Sequence, residues 1–185
     1  MNKSLLIVAF LALLISGCAT EKKQDPFQIG KQHIGLLTDS TQVKDLELAF
    51  PADSIVKHIK GDEFTGDIND IEVYDSTGKK LLILTPTQSL DSTAVIKSIH
   101  ITDSRYKTAN NISTLSTFAD IKNNYKISGI STLINSIVIS VNEINASFTI
   151  DKKELPANLQ FNMDLKIEAV QIPDNAKIKY FMLYW

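Results

Sequence analysis

Apolar and polar residues alternate along several short segments of the chain, and a period of two is typical of half-buried β-strands. The segments predicted as strands are 55–59, 71–74, 81–84, 95–101, 136–141, 146–150, 165–172 and 177–184. Between the second and third of these, residues 75–79 include Gly78 and have the composition of a hairpin turn. The last segment is apolar on both sides, which predicts a strand in the middle of a sheet.

Two further segments carry apolar residues at the i, i+3 and i+7 spacing of one helix face. These residues are Val43, Leu46 and Phe50 in the first segment and Phe118, Ile121 and Tyr125 in the second. Thr41 and Ser116 are the predicted N-caps, because a hydroxyl can accept a free backbone N–H at a helix start. Asp45 and Asp120 lie in the first turns, where negative charge suits the helix dipole.

The two helical segments match each other, which suggests an internal duplication. Residues 37–50 align with residues 112–125 without a gap, and residues 96–103 align with residues 167–174. We therefore predict an α+β fold of two tandem repeats, 28–108 and 109–185. Each repeat would be a short helix followed by an antiparallel β-meander, with the helix on one face of the sheet. Chance similarity between short helices and between alternating strands is the alternative.

The N-terminus has the layout of a cleaved export signal. Lys3 supplies a positive charge, residues 5–15 are uninterruptedly apolar, and Ser16 and Gly17 are small. A helix needs about 20 apolar residues to cross a bilayer core, so this run is too short for a permanent span. Cys18 follows directly and is the only cysteine of the chain.

The sequence Leu14-Ile15-Ser16-Gly17-Cys18 resembles the lipobox of bacterial lipoproteins. The resemblance implies cleavage between Gly17 and Cys18 and attachment of lipid to Cys18. Residues 1–17 are then the signal peptide, and the polar residues 18–27 are a tether to the membrane. The residue after Cys18 is Ala19 and not Asp, which by the same resemblance favours the outer membrane. An ordinary signal peptide followed by an incidental cysteine is the alternative.

Composition narrows the partners of the chain. It has 19 Lys and Arg residues and 21 Asp and Glu residues, for a net charge of −2. Arg105 is the only arginine. Nucleic-acid binding needs clustered basic side chains, so a nucleic-acid partner is not expected. Because the single cysteine is the predicted lipid site, the folded part has no disulfide and depends on its apolar core.

Residues that could carry chemistry are few. The three histidines, His33, His58 and His100, lack the spacing of metal ligands, and we expect the latter two to be exposed on strands. Carboxylates cluster in the acidic 62–72 stretch, at Asp62, Glu63, Asp67, Asp70 and Glu72. They could bind Ca²⁺ through oxygen ligands, but their spacing does not fit an EF-hand. A solvated acidic connection is the alternative that we favour, and no metal or cofactor is predicted.

The segment with Thr38, Thr41, Val43, Leu46 and Phe50, followed by strands, resembles two kinds of envelope module. These are the BamE-type outer-membrane lipoproteins and the tandem-repeat β-lactamase-inhibitor-protein fold. Both usually show Gly-Met-Thr at the helix start, where this chain has Leu37-Thr38. Taken whole, the chain is similar to uncharacterised lipoproteins of the Bacteroidetes kind.

The expected function follows from the anchor and from the resemblance. We expect a lipid-anchored envelope lipoprotein that acts as a non-catalytic binding module and contacts an envelope protein or a cell-wall component. No catalytic motif is present in the sequence. The alternative is an envelope hydrolase or metal-dependent enzyme that uses the acidic 62–72 stretch.

Overall fold

The alternating segments form strands, and these strands dominate the molecule. The computed structural model describes residues 24–60, 68–160 and 166–185. The strands are β1 Gln28–Ile29, β2 His33–Ile34, β3 Leu37–Thr38, β4 Ser54–Lys60, β5 Ile68–Tyr74, β6 Lys80–Pro86, β7 Ile96–Ile101, β8 Lys107–Thr108, β9 Gly129–Thr132, β10 Ser136–Val141, β11 Ala146–Asp151 and β12 Ile178–Tyr184.

The helices are short. They are α1 Leu46–Ala49, α2 Phe118–Asn124 and α3 Ala157–Gln160. Single 3₁₀ turns lie at Val43–Asp45, Asn142–Ile144, Lys152–Glu154 and Ala169–Gln171. A four-residue helix is one turn and has no independent stability, so packing against the strands holds α1 and α3 in place.

One large antiparallel sheet contains eight of the strands, in the order β4-β5-β6-β7-β12-β11-β10-β9. The pairing of β7 with β12 joins four strands of the first half of the chain to four strands of the second half. A small sheet has the order β3-β2-β1-β8, with β8 parallel to β1. The predicted central position of the last strand is confirmed, since β12 lies between β7 and β11. The burial of both its faces that this prediction assumes is wrong, because Tyr180 and Tyr184 are 44% and 46% exposed.

The core lies on one face of the large sheet. Along a single cross-strand row, Leu82, Ile101, Phe181, Phe148 and Ile139 face each other on five successive strands. Each of these side chains is buried. Because alternate residues of a strand point to opposite faces, this row places the hydrophobic core on one side of the sheet.

The small sheet and the helices cover that face. Buried residues from them join the same core cluster: Ile29, Ile34 and Leu37 from the small sheet, Leu46 from α1, and Phe118 and Ile121 from α2. The backbone fixes both helical segments to the sheet as well. The Val43 N–H donates to the Ala94 carbonyl at 2.9 Å, and the Phe118 N–H donates to the Ala176 carbonyl at 2.9 Å. The buried layer is therefore continuous with the large sheet.

The predicted α+β fold of two tandem repeats, 28–108 and 109–185, is wrong. The chain is mostly β, and its two halves share one sheet that runs across the predicted boundary. The predicted strand at 165–172 is also wrong, because Ala169–Gln171 forms a 3₁₀ turn. The Gln171 side chain accepts the Glu168 N–H at 2.9 Å and closes that turn. The alignment of 96–103 with 167–174 therefore pairs a strand with a turn.

The predicted helix caps are wrong by position. Thr41 and Ser116 do not cap helices. Their hydroxyls accept the N–H groups of Thr38 at 2.9 Å and Ser113 at 3.1 Å, three residues upstream. The N-cap of α2 is Thr117, which precedes Phe118 and whose N–H donates to the Asp120 carboxylate at 2.7 Å. These hydroxyls therefore close the turns that precede the helical segments.

The core row predicts unequal effects for neighbouring residues of β12. Phe181→Ala should lower the free energy of unfolding by about 3–5 kcal/mol, because it leaves a cavity among fully buried side chains. Tyr180→Ala on the opposite face should change it by about 1 kcal/mol or less. Urea denaturation of the two variants measures both values, and equal losses would contradict a one-sided core.

Candidate functional site

The face of the large sheet opposite the core remains in contact with solvent. We call it the open face. Its central row is Val56, Glu72, Ile83, His100, Met182, Ser147 and Ser140, one residue from each of seven neighbouring strands. Tyr180 and Tyr184, which flank this row on β12, are 44% and 46% exposed. The open face combines aromatic, polar and charged side chains on a rigid backbone.

Glu72 on β5 is the centre of a polar group that we call the Glu72 cluster. Its other members are His58 on β4, Tyr74 on β5 and Lys80 at the start of β6. His58 Nε2 lies 2.8 Å from Glu72 Oε2, and the Tyr74 hydroxyl donates to the same oxygen. Lys80 Nζ donates to Glu72 Oε1 and lies 5.5 Å from the centre of the Tyr74 ring. Both carboxylate oxygens are therefore occupied.

These contacts change the pKa values of the cluster. Hydrogen bonds from Lys80 and Tyr74, with a smaller contribution from His58, hold the pKa of Glu72 at about 2 against the opposing effect of burial. The hydrogen bond to Glu72 raises the pKa of Tyr74 and that of Lys80. Glu72 is thus a fixed negative charge at neutral pH, and Lys80 is its positive partner.

His100 on β7 lies next to this cluster along the open face. Burial lowers its pKa, and the positive charge of Lys80 adds to that effect, while Asp70 opposes it. Its ring meets the Tyr180 ring edge to face, with centroids 5.3 Å apart. The prediction that His58 and His100 are exposed strand histidines therefore holds better for His58, whose side chain is 38% exposed, than for the half-buried His100.

A second charged group has Asp103 at its centre. This carboxylate is fully buried and accepts hydrogen bonds from Arg105 Nε at 3.1 Å and Arg105 Nη2 at 3.0 Å. Lys79 Nζ lies 2.8 Å away. Burial raises the pKa of Asp103, but the bonds from Arg105 and Lys79 outweigh it and hold the value at about 2.

Arg105 extends this second group to two other parts of the chain. Its Nη2 donates to Asp75 in the β5–β6 turn at 2.7 Å, and its guanidinium lies 4.9 Å from the Phe27 ring centre. The single arginine therefore fastens the start of the described chain to a hairpin of the large sheet. We assign this group a structural role, because its charged side chains form ion pairs with one another.

The structure describes some of the predicted site residues and brings two of them together. Gly17, Cys18, Asp62, Glu63 and Asp67 lie outside the described residues. Asp70 and Glu72 lie two positions apart on β5 and so share the open face, where Asp70 accepts the Thr85 hydroxyl at 3.0 Å. His33 lies in the small sheet, apart from both. Sequence reasoning found Glu72 but missed Tyr74 and Lys80, although the period of two already places Tyr74 beside Glu72.

The described residues contain neither a metal-binding cluster nor a membrane-spanning helix. Within residues 24–60, 68–160 and 166–185, no three His, Cys, Asp or Glu side chains are grouped to hold a metal ion. None of the helices in these ranges combines the length and the apolar character needed to cross a membrane.

Stability should depend on pH through Glu72. Folding lowers the pKa of Glu72 from its ordinary value of 4.5. Its contribution to the free energy of unfolding is therefore present above pH 4.5 and is lost as the pH falls towards 2. Glu72→Gln should cost on the order of 1–2 kcal/mol at pH 7, discounted for partial exposure, and much less near pH 2.

Urea denaturation of both proteins between pH 2 and pH 7 measures this difference. The Lys80→Gln variant is the matched background. In it, Glu72→Gln should lower the free energy of unfolding by less than it does in the wild type, because the main partner of Glu72 is already gone. A difference between wild type and Glu72→Gln that is constant over the whole pH range would contradict the assignment.

Comparison with known proteins adds a fold and no function. No protein-family model and no curated protein matches the sequence. Among solved structures, the uncharacterized protein YfeY from Escherichia coli is similar, with a TM-score of 0.57 and 14% sequence identity. The match covers 85% of this chain and 99% of that chain. At this identity the likeness shows a shared fold alone.

Proposed function

We propose that this chain is a lipid-anchored protein of the cell envelope that binds a partner protein through its open face and performs no catalysis. The anchor is the lipid on Cys18, and the membrane is the outer membrane. The observation that carries the binding role is the open face itself, with exposed Tyr180 and Tyr184 beside the Glu72 cluster.

Three properties of the open face support this role. Tyrosine side chains supply large contact areas and are enriched where proteins bind each other. The strands hold these side chains on a rigid backbone, so little conformational entropy is lost on binding. The ring of Tyr180 packs against His100 and the hydroxyl of Tyr184 lies 3.1 Å from Ser147 Oγ, so both aromatic side chains are held in position.

Shape favours a protein partner over a cell-wall chain. The face of an eight-stranded sheet is broad and open, and standard protein interfaces bury about 800 Å² on each partner. A glycan strand instead binds in a groove that surrounds it on several sides. Binding to isolated cell wall is therefore the competing outcome of the test below.

The contact between His58 and Glu72 favours a second candidate, an envelope hydrolase. In acid–base catalysis a carboxylate can orient a histidine that transfers protons. The bonds from Tyr74 and Lys80 keep this carboxylate ionised, which an orienting role requires but which excludes Glu72 itself as a proton donor at neutral pH. In this candidate His58 is therefore the group that transfers the proton. Hydrolysis of ester, phosphate or peptide substrates that is lost in His58→Gln would establish it.

The lipid anchor predicts where the mature chain begins and that the protein is found in the membrane fraction. The mature protein should begin at Cys18, incorporate labelled fatty acid and sediment with membranes. Cys18→Ser should lose the label and the membrane association, because no acyl chain remains to be buried. Mass spectrometry and fractionation measure both. Retention of the label in Cys18→Ser would refute the anchor.

The open face predicts which substitutions abolish partner binding. Partners crosslinked in intact cells should fall about tenfold in Tyr180→Ala/Tyr184→Ala, since each aromatic contact contributes about 1 kcal/mol or more. Leu115→Ala is the matched control, because Leu115 is 79% exposed but lies in the turn before α2, away from the open face.

Unfolding temperatures of these variants separate binding from stability. Equal crosslinking by the double variant and the control would contradict the assignment of the open face. Binding of wild type to isolated cell wall, with no crosslinked protein, would replace the protein partner with a cell-wall component.

A further inference from the structure

The described chain begins on the small sheet, and two contacts fix it there. The Gln24 side-chain amide donates to the Gly35 carbonyl, in the turn between β2 and β3. The Gly35 N–H donates to the Gln28 carbonyl at 2.9 Å, and Gly35 packs so closely on Pro26 that a Cβ there would lie 2.3 Å from the Pro26 carbonyl oxygen. The first described residue therefore lies beside this turn.

Two exposed leucines lie at the same place. Leu36 directly follows Gly35 and is 48% exposed, and Leu48 of α1 is 76% exposed. They line one shallow groove of about 340 Å³, together with Ser40 and Thr41. We call Leu36 and Leu48 the leucine pair. Single exposed leucines are ordinary, but this pair lies next to the turn that Gln24, the first described residue, contacts.

The tether is too short to separate the leucine pair from a membrane. Six peptide steps connect Cys18 to Gln24, and an extended chain spans at most about 3.5 Å per residue. The lipid on Cys18 would therefore hold the β2–β3 turn within roughly 20 Å of the headgroups. At this effective concentration a weak apolar contact is sufficient to keep the domain docked.

Charge indicates which leaflet composition suits the surface. Asp45 lines the groove of the leucine pair, and Asp39 follows β3 in the adjoining turn. These carboxylates would be repelled by anionic headgroups. Lys44 beside Asp45 offsets part of this charge, but Asp39, Asp45 and the exposed Glu47 leave the surroundings of the leucine pair negative. A zwitterionic surface is therefore the occupant that fits.

We infer that the leucine pair docks the folded domain onto the zwitterionic leaflet that holds its own lipid anchor. This inference rests on the proposed lipid at Cys18 and is independent of the partner-binding role of the open face. Burial of the remaining exposed area of each leucine should change the ratio of docked to undocked domain roughly tenfold.

A spin label tests this inference on the complete lipidated protein. Cys18 is the only cysteine and its sulfur carries the lipid, so an introduced cysteine is the only free thiol. Ser40→Cys places a nitroxide in the groove and keeps both leucines. Ser131→Cys is the matched control on β9, an exposed serine at the edge of the sheet opposite β4.

The measurement is the collision rate of each label with a water-soluble nickel complex, relative to oxygen, in phosphatidylcholine vesicles. We expect the label at residue 40 to be several-fold less accessible to nickel than the label at residue 131. Leu36→Ser/Leu48→Ser should restore access at residue 40 while the protein stays on the vesicles. Added anionic lipid should increase access at residue 40.

The other outcomes each overturn the inference in a recognisable way. Equal nickel access at residues 40 and 131, with the protein bound to vesicles, excludes docking but leaves the anchor intact. Protein that does not associate with the vesicles refutes the anchor itself. Spin–spin broadening at residue 40 that increases with protein density identifies a second copy of this chain as the occupant instead of lipid.

Discussion

The pairing of β7 with β12 is the contact on which the rest of the structure depends. It places Ile101 opposite Phe181 on the core side and His100 opposite Met182 on the other side. Without it, the strands of the two halves would form separate four-stranded sheets, and β7 and β12 would each be an edge strand with unpaired backbone N–H and C=O groups. With it, one buried face and one open face extend across the entire sheet. The same strand pairing thus extends the hydrophobic core on one face of the sheet and the proposed binding surface on the other face.

Covering only one face of an antiparallel sheet is a stable solution because side chains alternate. The small sheet and the short helices supply the cover. Buried side chains attach the small sheet, and backbone hydrogen bonds hold the two helical segments to the residues that precede β7 and β12. A domain built in this way holds its functional surface on strands instead of loops. Its open face is therefore as rigid as the core behind it, which suits recognition of a preformed surface.

Much of the sheet could be predicted from sequence, because local features determine hairpins. The β5–β6 hairpin follows from two short apolar-rich segments, 71–74 and 81–84, and from a turn between them in which Gly78 adopts a φ of +81°. The helix predicted to reach Phe50 is cut short, since Pro51 disfavours helical geometry at the residue before it. Strand order across the halves depends on pairing between distant segments, and no local pattern encodes it.

The candidate site was predictable only in part, for a related reason. Glu72 stood out as a member of an acidic stretch, but its partner Lys80 depends on the register of the hairpin. A register shift after Val73 places Tyr74 opposite Lys80, and such irregularities leave no clear sequence signal. The Asp103 group was missed entirely, because Arg105 joins it to Asp75 and Phe27 across 30 and more residues.

The position of β12 has a consequence for how the molecule folds. In chain order it follows every other described strand, yet it occupies the middle of the sheet. Until it arrives, β7 and β11 each present an unpaired edge, and such edges can join another chain. Formation of the sheet therefore waits for contacts of high sequence separation, which predicts slow, late closure. The same vacancy allows two nascent copies to exchange their final strands before either copy closes.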